Sequence, residues 1–293
     1  MMRFLLCVFI SLAIFPLDRA MAVEALAPLE SAARQDDQLH PGLNTYQVTV
    51  ETSKIDETIQ KMTASMPADL PRPQPPNVIK YWRRGAPESV ILAEGEQAHP
   101  YITQMVERFS NSLAVELEAM LLPHSKAEQR QQLAQEANIK MTEVVMAANR
   151  LQRFELQFEE PKDLDQAFYA TNMRLPQKEI KTLIFDIDLT SNTISEVNVI
   201  TAEGIHLTTE IRYRQIDNVW VPERIHTTNP NGTIDDLIEV SFTAVGDYQM
   251  PAKMVRTTRR PELNDELEVN FRDYIINQPL PESVLNRMQS SAH

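Results

Sequence analysis

The chain has 293 residues, of which 43% are hydrophobic and 24% charged, and its formal net charge at pH 7 is −13. Nucleic acids and anionic membrane surfaces attract clusters of Lys and Arg, so this acidic balance disfavours both as partners. The length suits one large domain that folds without disulfides, and the single cysteine, Cys7, allows none within the chain.

The beginning of the chain has the pattern of a secretory signal peptide. A positive start with Arg3 precedes a largely apolar run over residues 4–15, and the small-x-small sequence of residues 20–22 is typical of a cleavage site. The run is too short for a membrane-spanning helix, which needs about 20 residues. We therefore predict a signal peptide over residues 1–22, export to the periplasm of a Gram-negative cell, and a single domain over residues 23–293.

Short helices and strands are predicted between the cleavage site and residue 94. Apolar residues at helical spacing predict helices, alternation with period two predicts strands, and the five prolines of residues 67–77 predict a stiff extended loop. The predicted elements are a helix over residues 23–38, a strand over 44–52, a helix over 54–66, and strands over 78–84 and 89–94.

The apolar period changes to about 3.6 near residues 98–150, which predicts two helices inserted into the domain. The first ends at Pro123 and carries an apolar stripe that includes Met105, Phe109 and Met120. The second begins near Ser125, where Ser-x-x-Glu resembles a capping box. Its apolar positions are Leu133, Ala137, Met141, Val144, Val145 and Ala148. We expect both helices to pack on the apolar side of the sheet.

The last third of the chain alternates apolar and polar residues in successive runs, after a strand over residues 153–158. Period two predicts strands with one wet face, and the absence of helical crossovers predicts an antiparallel meander. Turn signals separate the runs at residues 202–204 and, most strongly, at residues 229–232, where Asn-Gly tolerates positive φ. One register stays ambiguous. A four-residue loop over 215–218 would place Trp220 opposite Tyr213 on the dry side, whereas an odd loop would turn Val219 and Val221 inward. We adopt the first.

The polar residues outline no recognisable chemistry. Asp186 and Asp188 on one strand, with His206 two strands further on, could sketch a metal site, but this spacing is unspecific and exposed aspartates in strands are usually solvated. The chain has no nucleophile motif and no glycine-rich phosphate loop. We therefore predict no catalytic residue, no metal and no cofactor, and hence a protein that is not an enzyme.

Charged clusters elsewhere are interpreted as solvated positions at turns and sheet edges. They are Arg83-Arg84, Arg256 with Arg259-Arg260, Glu159-Glu160 and Asp235-Asp236.

Motifs over about residues 150–285 resemble a known family. In order along the chain they are Phe185-Asp186-Ile187-Asp188, Ile194-Ser195-Glu196-Val197, Tyr213 with Val219-Trp220-Val221-Pro222, Met250-Pro251-Ala252-Lys253, and Phe271-Arg272-Asp273-Tyr274-Ile275-Ile276-Asn277 followed by Leu280-Pro281. This order resembles the LolA-like lipoprotein-sorting superfamily, whose carriers ferry lipoproteins from the inner to the outer membrane. The resemblance implies an α+β fold, a strongly curved antiparallel sheet or half-barrel with helices covering the concave face and an apolar ligand held in the hollow. This chain is longer than those carriers.

A pocket under helices would be lined by alternate strand residues and would be mostly apolar. The candidate ligand-binding residues on strands are Phe185, Ile187, Val197, Val199, Leu207, Ile211, Tyr213, Val240, Phe242, Val269 and Phe271, and those on the first inserted helix are Met105, Phe109 and Met120. Methionine adapts its shape to variable acyl chains. The alternative for each residue is an ordinary closed core between helices and sheet.

Two functions fit this architecture. The first is a periplasmic binding or carrier protein for an apolar ligand, either a lipid or the acyl chains of a lipoprotein, with an envelope protein as a further partner and only transient membrane contact. The second is a periplasmic protein-interaction or sensor module that uses the same fold without a lipid.

Overall fold

The computed structural model describes residues 26–32, 41–64, 76–86, 89–94, 127–146, 149–163 and 179–290. Four helices lie in these ranges: α1 (residues 26–32), α2 (Ser53–Thr63), α3 (Ala127–Ala134) and α4 (Glu282–Ser290). The strands are β1 (Thr45–Thr52), β2 (Asn77–Arg83), β3 (Val90–Glu94), β4 (Ala137–Met146), β5 (Asn149–Asp163), β6 (Glu179–Asp188), β7 (Thr193–Thr201), β8 (His206–Ile216), β9 (Val219–Thr228), β10 (Asp235–Val245), β11 (Tyr248–Arg260) and β12 (Leu263–Ile276). None of the described helices is long and apolar enough to cross a membrane.

The twelve described strands form one sheet in the order β3-β2-β1-β12-β11-β10-β9-β8-β7-β6-β5-β4. From β4 to β12 the chain is an antiparallel meander, and the alternating runs predict its part from β6 to β12. Strand β1 pairs with β12, so the first and the last of the described strands are neighbours inside the sheet. The sheet is a curved half-barrel, and its edge strands β3 and β4 do not pair with each other within the described residues.

One side of this sheet, which we call the concave face, carries the buried apolar side chains of the meander. They include Phe154 on β5, Phe185 on β6, Val197 on β7 and Val269 on β12, all in one cluster. Three helices contribute side chains to the same cluster: Leu26, Leu29 and Ala32 from α1, Ile55 and Ile59 from α2, and Ala134 from α3. The predicted arrangement of helices over the concave face is therefore confirmed.

The opposite, convex face carries many polar residues, and it also has an apolar cluster at its β3 end. Helix α4 packs there on β2 and β3, where Val284 and Met288 bury Tyr81. Tyr81 follows Lys80 on β2 and points to the convex face. Its hydroxyl donates to Glu94 Oε1 at 2.8 Å. Burial and this acceptor raise the pKa of Tyr81 to about 12. The C-terminal helix thus covers the β3 end of the sheet from outside.

The prediction of a long second inserted helix is wrong beyond residue 134. Of the described residues in this segment, Ala127–Ala134 are helical, and Ala137–Met146 is the edge strand β4, which pairs with β5 over its whole length. Met141, expected on a buried helical stripe, is 48% exposed opposite Phe154. The segment is rich in β-branched residues, and a full ladder of hydrogen bonds to β5 outweighs its weak helical pattern.

The predicted register of the β8–β9 hairpin is also wrong. Strand β8 continues to Ile216, which pairs with Val219, so the turn consists of Asp217 and Asn218 alone. Both turn residues have positive φ, 49° and 65°, as a two-residue hairpin turn requires. A bulge shifts the pairing next to the turn, so that Tyr213 pairs with Pro222 and Trp220 pairs with Gln215. Val221 is fully buried, and Trp220 is only half-buried.

Asn277 joins the two ends of the chain at the seam between β1 and β12. Its Oδ1 accepts from the backbone N–H of Asn44 at 2.7 Å, and its Nδ2 donates to the carbonyl of Gly42 at 3.1 Å. Its own N–H donates to the carbonyl of Thr45 at 2.8 Å. With φ at 54°, the residue lies in the left-handed region, which Asn tolerates better than most residues. The Asn that ends the last motif therefore has a structural role.

Candidate ligand-binding face

The structure brings the eleven strand residues predicted to bind a ligand onto the concave face. Nine of them are between 0% and 8% exposed: Phe185, Ile187, Val197, Val199, Leu207, Ile211, Val240, Val269 and Phe271. Tyr213 and Phe242 are partly buried and pack against the same cluster. Met105, Phe109 and Met120 lie outside the described residues. The shared face follows from period two along each strand and from antiparallel pairing between strands.

The same face contains apolar residues that the sequence interpretation left out. Examples that are each at most 2% exposed are Phe154, Leu156 and Phe158 on β5, Leu183 on β6 and Met254 on β11. Residues 153–158 are predicted as a strand, and alternation along that strand puts these three β5 side chains on one face. Met254 pairs with Val240 and with Val269, two predicted residues, so it completes a row across three strands.

A buried ion pair connects two of the helices over this face. Arg130 on α3 donates through Nε to Glu30 Oε1 at 2.7 Å and through Nη2 to Glu30 Oε2 at 2.8 Å. Glu30 lies on α1, and the Arg130 side chain is fully buried. Two charges removed from water need this bidentate geometry, because an unpaired buried ion is costly. The pair fixes α3 against α1, and a hydrogen bond of 3.1 Å from Asn192 Nδ2 to Ser31 Oγ connects α1 to the β6–β7 turn.

Polar side chains also occur on the concave face, in one row across β8 to β12 that we call the polar row. It consists of Thr209, Thr227, Asp236, Thr258 and Asp265, which are paired in sequence from strand to strand. The row is continued at its other end by Val197, Phe185 and Phe154, the partners of Thr209 on β7 and of one another on β6 and β5. One row thus changes from aromatic and aliphatic to polar as it crosses the sheet.

Two ion pairs lie along the polar row. Arg256 on β11 donates to both carboxylate oxygens of Asp236, through Nε at 2.9 Å and through Nη2, and Thr258 Oγ1 donates to Asp236 Oδ1 at 3.3 Å. The hydrogen bonds to Asp236 raise the pKa of Arg256. At the β12 end, Lys54 of α2 pairs with Asp265, which raises the pKa of Lys54. The interpretation of Arg256 and Asp236 as solvated edge charges is therefore wrong, since both lie in inner strands on the concave face and their side chains are 27% and 15% exposed.

An aromatic group lies near the other end of β1 and β12. Tyr46 stacks on Trp82 with ring centroids 5.2 Å apart and meets Tyr274 edge-on at 5.9 Å. The ammonium of Lys80, a residue only 3% exposed, is 5.9 Å from the centre of the Tyr46 ring. Tyr274 donates to the carbonyl of Pro251 at 2.7 Å, and burial raises its pKa. Aromatic rings thus lie at this end of β1 and β12 and pack against the apolar cluster of the concave face.

The aspartates considered for a metal site have other partners. Asp186 is buried on the convex face and accepts from Arg153 Nε at 2.8 Å and Nη2 at 2.6 Å. Asp188 Oδ1 accepts from the backbone N–H of Thr190 at 2.7 Å. The expectation that this aspartate pair is solvated is thus wrong for Asp186. Within the described ranges, no three His, Cys, Asp or Glu side chains are grouped so that they could hold a metal ion.

Comparisons with known proteins give only distant similarity. No family model matches the chain, and no curated protein matches it significantly. Among solved structures, a domain described as an outer membrane lipoprotein-sorting protein from Vibrio parahaemolyticus is 9% identical, with a TM-score of 0.37 over 92% of this chain and 98% of that one. A LolA superfamily protein from Nitrosomonas europaea is 9% identical, with a TM-score of 0.31 over 89% and 96%.

A DUF1329 family protein from Desulfovibrio piger is also 9% identical, with a TM-score of 0.33 over 88% of this chain and 95% of that one. The superfamily that the sequence motifs resemble is thus among these structures. The identities and TM-scores are low, so the proposals below rest on the residues of this chain.

Proposed function

We propose that the protein is a periplasmic binding or carrier protein that holds the acyl chains of a lipid or lipoprotein between the concave face and the helices over it. The observation that carries the proposal is the large apolar surface on the concave face of β5 to β12. Among the described residues, its strands contribute most of the buried cluster, and α1, α2 and α3 contribute three, two and one side chains. A surface of this kind, covered by short separate elements, suits a ligand that replaces contacts between helix and sheet.

The ligand would reach this face where a helix separates from the sheet, because the strand residues are buried in the structure. Helix α2 is the best placed for this, since it follows β1 directly and its contacts include the exchangeable pair of Lys54 with Asp265. Aliphatic chains gain about 0.8 kcal/mol per methylene transferred from water, so one long acyl chain can offset the loss of a few helix contacts. The protein would need no catalytic group for this role.

The leader predicted over residues 1–22 supports a periplasmic location for the carrier. An envelope protein that delivers or accepts the ligand would be its second partner, and contact with a membrane would be transient. The competing function is a protein-interaction or sensor module with no lipid on the concave face, and the experiments below separate the two.

The first test asks whether the protein carries a bound lipid when it is made in cells. Protein purified from the periplasm without detergent is analysed by native mass spectrometry and by lipid extraction, and is titrated with a neutral fluorescent apolar probe. The proposal expects a co-purified lipid or a saturable probe site. A protein that is empty in repeated preparations and ignores the probe would contradict it and would favour the interaction module.

A matched pair of valine variants localises the site. Val240 points to the concave face of β10, whereas Val255 points to the convex face of the neighbouring strand β11, opposite Glu239. The change Val240→Trp fills space at the proposed site and should reduce probe binding at least ten-fold, while Val255→Trp should leave it unchanged. Circular dichroism and thermal unfolding check that both variants fold. Equal binding by both folded variants would remove the concave face as the site.

A further inference from the structure

The polar row differs from the charged residues of the convex face because apolar residues flank it on the covered side of the sheet. Ile211, Ile225 and Ile238 form the adjacent row on β8, β9 and β10, and Arg256 and Leu267 extend that row on β11 and β12. On the other side of the polar row, Leu207 is 2% exposed and Ile234 packs on the cluster. The polar groups therefore interrupt an apolar surface and do not simply mark where the sheet meets solvent.

Access to the polar row increases across the sheet. Thr209 is 5% exposed, the Asp236 and Arg256 side chains are 15% and 27% exposed, and the Asp265 side chain is 45% exposed. The accessible end is next to Lys54 at the start of α2, while the buried end continues into Val197 and Phe185. A molecule lying along this row would meet polar groups first and apolar groups deeper inside.

The charges of the polar row compensate one another. Asp236 is paired with Arg256, and Asp265 with Lys54, so these four groups carry no net charge. An anion would have to compete with two carboxylates for their cations, and breaking a partly buried pair leaves the displaced carboxylate without its partner. A cation would face the same difficulty with Arg256 and Lys54. The row is therefore unsuited to a head group with a net charge.

Hydrogen-bond donors remain available on Arg256, which lies in the row next to the polar row. The Arg256 guanidinium has five N–H groups, and two of them donate to Asp236. None of the other three donates to an acceptor within the described part of the chain, and the side chain is 27% exposed. Thr209 and Thr227 share one hydrogen bond at 2.9 Å between their hydroxyls, which leaves acceptor capacity on both oxygens. Carbonyl and hydroxyl oxygens of a ligand would suit these groups.

We propose that the polar row binds the head group of the carried lipid, and that this head group has no net charge and is rich in ester, amide or hydroxyl oxygens. The acyl chains then extend along Ile211, Ile225 and Ile238 towards β5 and β6. This inference rests on the proposed function, since it names the class of ligand that the same face takes. It predicts a preference for acylglycerols or acyl amides over free fatty acids and over hydrocarbon alone.

Competition against a bound neutral fluorescent probe tests the preference. Monomyristoylglycerol and myristate have the same chain length, and both are added below their aggregation concentrations at pH 8, where the free acid is ionised. The glycerol ester should displace the probe at a concentration at least ten-fold lower than myristate. Equal displacement would overturn the head-group inference and leave the carrier function standing, whereas absence of probe binding would remove the carrier function itself.

A second pair of variants tests whether the polar row causes the preference. Arg256→Met with Asp236→Asn removes the concave pair with little change in volume. The control, Arg153→Met with Asp186→Asn, removes a bidentate pair of the same type from the convex face. The concave double variant should still bind the probe but should lose the preference for the ester, while the control keeps it. Retention of the preference by the concave variant would overturn the inference.

A milder change serves if the double variant does not fold. Thr227→Val removes one hydroxyl of the polar row, and Thr257→Val removes a hydroxyl from the convex face of β11, where Thr257 pairs with Leu237. The first should weaken binding of the ester about three-fold or more without affecting the probe, and the second should change neither. Identical ester binding by both valine variants would contradict a head group held at this row.

Discussion

Each face of the sheet carries one bidentate Arg–Asp ion pair, and the two pairs lie in different surroundings. On the convex face, Arg153 pairs with Asp186 beside Glu155 and Glu196, and the Asp186 side chain is 5% exposed. On the concave face, Arg256 and Asp236 lie beside the apolar row of Ile211, Ile225, Ile238 and Leu267. The geometry of the two pairs is alike, so the apolar row beside the concave pair is what distinguishes the candidate ligand site from the pair on the convex face.

The largest difference between the faces should be in the free energy of unfolding lost by substitutions at two neighbouring residues of β6. Phe185 is 2% exposed on the concave face, and Ile184, next in sequence, points to the convex face, where it pairs with Glu155. Phe185→Ala should lower the free energy of unfolding by about 4 kcal/mol, because it leaves a cavity in the cluster. Ile184→Ala should cost about 1 kcal/mol. Urea denaturation measures both, and similar losses would mean that the concave cluster is not the main core.

The ion pair of the helix cover should give the next effect. Arg130→Met leaves Glu30 buried without its main cation, which should cost about 3 kcal/mol. Adding Glu30→Gln removes the uncompensated charge and should recover more than half of that loss in thermal unfolding. A single variant as stable as the double variant would show that the pair does not hold α3 against α1.

The seam between the chain ends should respond more weakly. Asn277→Ala removes three side-chain hydrogen bonds, the longest of them to the Tyr248 hydroxyl, from a residue with positive φ and should cost about 2 kcal/mol. Asn277→Gly keeps the backbone conformation accessible, so the difference between the two variants in urea denaturation isolates the backbone contribution. Stability equal to the wild type in both would contradict the role of Asn277 in joining β1 to β12.

The smallest effect is the pH dependence of a pair on the convex face. His226 Nε2 lies 2.8 Å from Asp235 Oδ1, and this contact lowers the pKa of Asp235. A depressed carboxyl pKa adds stability above the unfolded value of about 4, and that stability is lost as the pH falls through the folded pKa. For this half-exposed pair the contribution is about 0.5 kcal/mol. Asp235→Asn should flatten unfolding free energies measured below pH 5, and an unchanged slope would exclude the contribution.

Much of the sheet could be predicted from the sequence, because period two is a local signal. The strands of residues 179–276, their antiparallel order and the shared face of Phe185, Val197, Leu207 and Val269 all follow from alternation and turn residues. Strand β4 could not be found in this way. Its apolar residues fit both periods, and pairing with β5 decided between them.

The register of the β8–β9 hairpin could not be predicted for a related reason. Asp217 and Asn218 both accept positive φ, but the same two residues also fit a four-residue loop, and the bulge beside Tyr213 has no local signal. The candidate site was predicted only in its apolar part. The polar row combines residues from five strands, and its cationic partners Arg256 and Lys54 come from β11 and α2. Each of these residues by itself resembles a solvated side chain.

The sequence by itself determined the alternation of faces and the positions of most turns, since these depend on neighbouring residues and on the backbone. Only the tertiary structure decided that β1 pairs with β12, that Glu30 forms a buried ion pair with Arg130, and that Asp236 lies on the concave face with Arg256. These contacts join residues far apart in the chain. Their free energy depends on what surrounds the partners after folding, which no local pattern records.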